Sequence, residues 1–351
     1  MFYLFAGLQT AGKWPMKIIL DAMGSDLNPV PDVEGAVLAA REFGDTIVLV
    51  GDQDRVRAEL AKHDTAGLRL EVVHAPQAVT MEDKPGVVGR SKPESSMHIG
   101  MQLVRDGHGD AFVTAGNTGA ALAIATLHTL RRVPGVHRPA LSAVLRLKDR
   151  SIVLTDVGAN ADCKPEWLAQ FALMGSLFAE RALGYVNPRV ALLSNGEEAG
   201  KGSILVQETA ELLRAGGVNF IGNAEPKEIL GGRVDVAVMD GFSGNVFLKT
   251  MEAFGSTLLD MIRQELMADT RSKVGGLLAK PAFRRVYHQI DPFEVGGAPL
   301  LGVNGVVIIG HGRSNALAVK NAIRQARGAV SGHIVDAIRE GLNKQSNSQH
   351  N

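Results

Sequence analysis

The 351-residue sequence contains one cysteine, Cys163, which excludes a disulfide framework and a cysteine metal cluster and suits a reducing cytoplasm. Net charge is equally absent. Thirty-seven Lys and Arg offset thirty-seven Asp and Glu, so general nucleic-acid binding has no electrostatic basis, and the partners expected are small molecules or proteins. No apolar run reaches the roughly 18 residues that a membrane-spanning helix needs. Three motifs are also missing: a G-x-G-x-x-G fingerprint after the first strand, a G-x-S-x-G elbow and a metal-binding aspartate cluster. Their absence argues against a nicotinamide site, an α/β-hydrolase serine and any metal, and no cofactor is expected.

What is present is glycine, forty residues of it, beside 45% hydrophobic and only 5% aromatic residues. That composition fits a large core with many tight strand-to-helix turns. Short β-branched runs alternate with longer helical patterns, the signature of βαβ units and a mainly parallel sheet. Strands are predicted at 17–21, 46–51, 68–74, 111–114, 141–147, 152–156, 189–194, 219–222, 234–240 and 306–309. The clearest helices are predicted at 93–106, 118–132, 165–183, 202–214, 244–266 and 314–340. Only KDRS separates the strands at 141–147 and 152–156. Four residues are too few for a crossover, so this pair is an antiparallel hairpin and the sheet is mixed. Residues 1–15 do not read as a signal peptide and form an atypical extension before Met16. Residues 16–340 read as a single α/β catalytic domain, and 341–351, rich in Asn, Gln and Ser, as a disordered tail.

In open α/β sheets ligands bind beyond the carboxyl ends of strands, where glycine turns and helix N-termini present free N–H groups. Six predicted strand ends carry Gly, Asn, Asp and Ser together: DAMGSD (21–26), TAGNTGA (114–120), DVGANADCKPE (156–166), SNGEEAGKGS (194–203), MDGFSGNVFLK (239–249) and GHGRSN (310–315). Any one of them is explained as a turn or a helix cap. The cations Lys164, Lys201, Lys249, His311 and Arg313 in or beside these turns are not. Convergent cations with backbone donors point to an anionic ligand, most economically a phosphate. SNGEEAGKGS is a near miss to the P-loop, with three residues before Gly200-Lys201 instead of four and Gly202 placed before Ser203. Cys163 lies beside Lys164, which favours a thiolate, although a small apolar filler is the commoner role of a lone cysteine.

Taken in order from residue 16 to about 340, these six motifs resemble the PlsX family of phosphate acyltransferases, the acyl-carrier-protein:phosphate transacylases. The resemblance implies a fold like isocitrate and isopropylmalate dehydrogenases and phosphotransacetylase, in a homodimer. It implies that inorganic phosphate attacks a long-chain acyl-carrier-protein thioester and that a membrane glycerol-3-phosphate acyltransferase consumes the acyl phosphate for phospholipid synthesis. The family normally lacks an extension like 1–15. On this resemblance Lys201, Gly200, Gly202 and Ser203, with Asn117 and Thr118, are expected to bind phosphate. Asn160 and Asn245 are candidates to polarise the carbonyl, His311 to transfer a proton to the leaving thiolate, and Lys164 to give electrostatic support. Asp162 and Asp240 would orient cations, while Asp21, Gly24 and Arg313 complete the substrate-binding set.

The segment 270–290 holds Arg271, Lys273, Lys280, Arg284 and Arg285 without an acidic residue, interleaved with Leu277, Leu278, Phe283 and Val286. Its glycines and Pro281 predict a helix-turn-helix tip. Three occupants fit it: a dimer mate, an anionic membrane surface with which the chain associates peripherally, or acidic acyl carrier protein. Rival functions are a phosphotransacylase acting on acyl-CoA, a decarboxylating dehydrogenase of the same fold, and a noncatalytic membrane scaffold.

Overall fold

The computed structural model describes residues 15–147, 150–290 and 292–348, with side chains except at 287–290, 292–293 and 346–348. The expected extension lies outside these residues but for Pro15. The strands are β1 (Lys17–Asp21), β2 (Thr46–Gly51), β3 (Arg69–His74), β4 (Ala111–Thr114), β5 (Ala140–Leu147), β6 (Arg150–Thr155), β7 (Val190–Leu193), β8 (Phe220–Ala224), β9 (Val236–Val238), β10 (Ala298–Leu301) and β11 (Val306–Ile309). They form one 11-stranded sheet in the order β3-β2-β1-β4-β11-β10-β5-β6-β9-β7-β8. β3 to β11 make one parallel block and β6 to β8 another. Antiparallel pairings of β10 with β11 and with β5, and of β5 with β6, join the two. The central strands are apolar on both faces because helices cover both sides. Ile18 and Leu20 of β1 enter one core while Ile19 enters the other.

The β5–β6 hairpin and the mixed sheet are as the sequence predicts. β10 is not in that set: it has four residues, one of them Pro299, and its two Gly neighbours read as loop. The helix predicted at 314–340 divides into Ala316–Ser331 and Ile334–Ser348 at His333, whose φ of 48° breaks the helical path. The second helix continues through the supposed tail to Ser348. Leu342 anchors it in the core, which the polar composition around Leu342 conceals.

Past β9 the chain forms two long helices, Gly241–Ala268 and Thr270–Ile290, packed as a hairpin. The turn falls at Asp269, whose backbone is extended and whose side chain accepts from the N–H groups of Arg271 (2.8 Å) and Ser272 (2.9 Å). The expected turn inside 270–290 is therefore corrected: the helix runs through Gly275, Gly276 and Pro281. A Cβ on Gly276 would sit 3.3 Å from Leu266, so that glycine permits the arms to approach closely and does not break them.

A cleft at the strand ends

Asp156, fully buried at the end of β6, organises one wall. Its carboxylate accepts five N–H bonds, from the backbones of Leu141, Gly158, Ala159 and Asn160 and from the Asn160 side chain. Burial pushes the carboxyl above its ordinary value, and these donors oppose it. Asn160 also donates to the Pro139 carbonyl at 2.8 Å, so both its side-chain N–H groups are committed inside the loop. Beside this loop Asp240 caps the first long helix, accepting from the Ser243 N–H (2.8 Å) and hydroxyl (2.7 Å). That helix starts hard against the loop: a Cβ on Gly244 would lie 1.9 Å from the Asp156 carbonyl oxygen, so only glycine fits.

Across the sheet, the ends of β1, β4 and β11 are tied together. The Thr114 hydroxyl donates to the buried Asp21 carboxylate (2.8 Å), which burial raises above its ordinary value. Gly24 lets the β1 loop meet the β4 loop, since a Cβ there would lie 2.8 Å from the Thr114 hydroxyl. Asn117 caps the helix Thr118–Ala123 through its carbonyl (3.0 Å to the Ala120 N–H), and its amide N–H donates to the carbonyls of Thr80, Met81 and Asp83. Gly310 donates to the Thr114 carbonyl at 2.6 Å, fixing where β11 hands over to His311.

Between these walls lies a cleft of ≈ 1160 Å³. Its lining brings together His311, Arg313, Lys249, Asn245, Asn117 and Thr118 with a largely apolar stretch of β5 and the first long helix, among which stand the charged Arg146, Glu252 and Asp260. Desolvation, then the Lys249 and Arg313 cations, hold the His311 imidazole below its ordinary value against Glu252 and Asp26, leaving the ring neutral at pH 7.

The other expected site residues do not line this cleft. Lys201 follows β7, two strands from β6 in the sheet order, and local sequence carries no signal for that order. Two cradle donors of its loop are already taken: the Lys201 N–H by Glu198 and the Gly202 N–H by Asn195. Ser203 caps the helix Ile204–Arg214, and Glu197 turns to Arg233 and Lys227. Asp162 and Lys164 are exposed beside the loop. Asn160, Asp240, Asp21 and Gly24 are supports behind the walls. Burial pushes the Cys163 thiol up to about 12, which disfavours the thiolate that a nucleophile needs. Sequence reasoning missed Met81, Arg146, Glu252, Ser256 and Leu259 in the lining. The spacing 245, 248, 252, 255, 259 marks one helix face, but which neighbour that face meets depends on the hairpin's packing. Among the described residues no group of His, Cys, Asp and Glu is arranged to hold a metal, and no helix is long and apolar enough to cross a membrane.

A family model described as fatty acid synthesis protein matches residues 16–336. A phosphate acyltransferase of Pelotomaculum thermopropionicum is 46% identical over 327 residues, 93% of this chain and 95% of that protein. One from Nitratidesulfovibrio vulgaris is 47% identical over 310 residues, 88% and 90%. Among solved structures, a phosphotransacetylase from Streptococcus pyogenes superposes with a TM-score of 0.61 at 18% identity, covering 90% of this chain and 94% of that one. EutD phosphotransacetylase from Staphylococcus aureus gives 0.57 at 18%, with the same coverage. At such identity these two establish the fold.

Proposed function

The chain belongs to the fatty acid synthesis protein family of phosphate acyltransferases, and from that premise we propose that it moves a long-chain acyl group from acyl carrier protein to inorganic phosphate in the cleft beside His311. The observation that carries this reading is the joining, in one cleft, of the cationic Lys249 and Arg313 with a largely apolar lining, which suits an acyl phosphate. Lys249 and Arg313 hold the phosphate with Thr118. A phosphate oxygen attacks the thioester carbonyl, the C–O bond forms, and the C–S bond breaks with its electron pair on sulfur. Asn245 polarises the carbonyl. Neutral His311 takes the hydrogen phosphate proton and passes it to the departing thiolate, so acyl phosphate and free carrier thiol are the only products. A thiolate is a good leaving group, and phosphate arrives already anionic, so positioning and charge suffice.

This division of roles gives Lys201 no part in phosphate binding within the chain's own cleft. The product feeds a membrane glycerol-3-phosphate acyltransferase, and the enzyme works as a homodimer that touches the membrane through the second hairpin arm. Leu277 and Leu278 are 70% and 78% exposed there, amid its five cations. Flotation with anionic liposomes tests that contact: Leu277→Glu/Leu278→Glu is expected to remain with the protein fraction, and flotation equal to the parent assigns the arm to another partner. The catalytic reading is tested by trapping acyl phosphate with hydroxylamine from palmitoyl-carrier protein and phosphate, with palmitoyl-CoA as competitor. Acyl-CoA as the better donor would place the chain with the acyl-CoA phosphotransacylases.

A further inference from the structure

Gly255 stands in the middle of a 28-residue helix, Gly241–Ala268. Glycine is among the poorest helix formers, and it is used in helix interiors where a side chain would obstruct something. At Gly244 the obstruction is the Asp156 carbonyl, and at Gly276 it is Leu266. At Gly255 no atom lies within 4 Å of where a Cβ would stand, and the residue borders the cleft. Packing within this chain therefore does not account for it, and the residue opens on the cleft.

That space has a direction. The Asp156 loop holds both walls at their start, through the Leu141 N–H on β5 (3.1 Å) and through Gly158, whose Cβ position lies 3.9 Å from Asn245. From there β5 lines the cleft with Leu141, Ala143, Leu145 and Leu147, joined by Val144 and Arg146 between them. The helix presents Leu248, Gly255 and Leu259, with Glu252, Ser256 and Asp260 beside them. At about 1.5 Å per residue, Gly255 lies roughly 15 Å along the helix from Asn245, and Leu259 one further turn away. We propose that Gly255 is a specificity-determining residue: its missing side chain admits the distal part of a long acyl chain, and Leu259 with Leu147 closes the channel beyond it. This rests on the acyl-transfer reading above.

The test is a chain-length series, octanoyl to stearoyl, on carrier protein. A Gly255→Leu side chain projects into the channel while improving helix propensity, so the fold is not put at risk. Turnover (kcat/KM) with palmitoyl and stearoyl chains is expected to fall about 10-fold or more while octanoyl turnover stays within about twofold, since a hydrophobic pocket discriminates by factors of roughly 10 to 200 per methylene. Leu259→Ala should move the optimum to longer chains. Thr257→Leu, at an exposed position that does not border the cleft, should leave the profile as in the parent. An unchanged profile in Gly255→Leu, or an equal loss at every length, overturns the assignment. Failure of the parent protein with every chain overturns the acyl-transfer reading itself, a different result from an active parent whose length profile ignores residue 255.

Discussion

The Asp156 carboxylate grips Asn160 twice, through the backbone N–H at 2.8 Å and the side-chain amide at 2.9 Å. Asn160 is thereby a brace: it ties the end of β6 to the Pro139 carbonyl and fixes the loop on which the first long helix starts. Replacing Asn160 with Ala leaves buried acceptors short of donors, at a cost of about 1–3 kcal/mol. Urea denaturation should show a lower midpoint with an unchanged m-value. A parent-like midpoint with lost turnover would return Asn160 to a direct chemical role.

Gly244→Ala attacks the same junction from the other side. The added methyl meets the backbone carbonyl oxygen of Asp156 at 1.9 Å, so the helix start must shift and carry Asn245, Leu248 and Lys249 with it. Activity should fall at least tenfold alongside lowered thermal stability, while Gly255→Ala, facing open space, should keep or raise the melting temperature.

Lys249→Met should raise the KM for phosphate by about 10-fold or more, the loss expected of a charged contact worth roughly 1.5–3 kcal/mol. Lys201→Ala should leave it within about twofold. The reverse ranking in steady-state kinetics would restore the 194–203 loop as the phosphate site.

His311 should titrate below the usual histidine range. Because the Lys249 cation is among the causes, Lys249→Met should move that titration upward, as followed by NMR of the imidazole ring. The sign for stability follows. Unfolded histidine binds a proton near pH 6.5 and folded His311 does not, so this residue costs stability as pH falls below about 6.5.

Asp32 gives the opposite slope. It is fully buried on the helix Val30–Phe43, accepting from the Ser25 hydroxyl, and burial raises its carboxyl to about 7. Between the ordinary carboxylate value and about 7 the folded chain keeps a proton that the unfolded chain has released, so stability drains away as pH rises through that window. Asp32→Asn should flatten this part of the stability curve in chemical denaturation.

Local chemistry made most of the sheet legible. The runs IVLV and VVII announce buried strands, and KDRS forces the β5–β6 hairpin. β10 escaped because Ala-Pro-Leu-Leu has neither length nor alternation, and with β5 it joins the two parallel blocks. His311, Arg313, Asn117 and Thr118 meet in the cleft because β4 and β11 are neighbours in the sheet, and Asn245 joins them from beyond β9 on the helix that starts against the Asp156 loop. Lys201 carries the same local signature and stands apart, because sheet order is settled by long-range pairing that no turn sequence records. Leu259 and Gly255 were invisible for a related reason: a helix face acquires meaning from what packs opposite.

The central claim is acyl transfer to phosphate in this cleft. The measurement that tests it most directly is release of free carrier thiol from palmitoyl-acyl carrier protein, followed with and without inorganic phosphate for the parent and for Lys249→Met/Arg313→Met. Phosphate-dependent release by the parent, cut at least a hundredfold in the double variant with an unchanged melting temperature, is the predicted result. Release that ignores phosphate, or that survives the double variant intact, would contradict it.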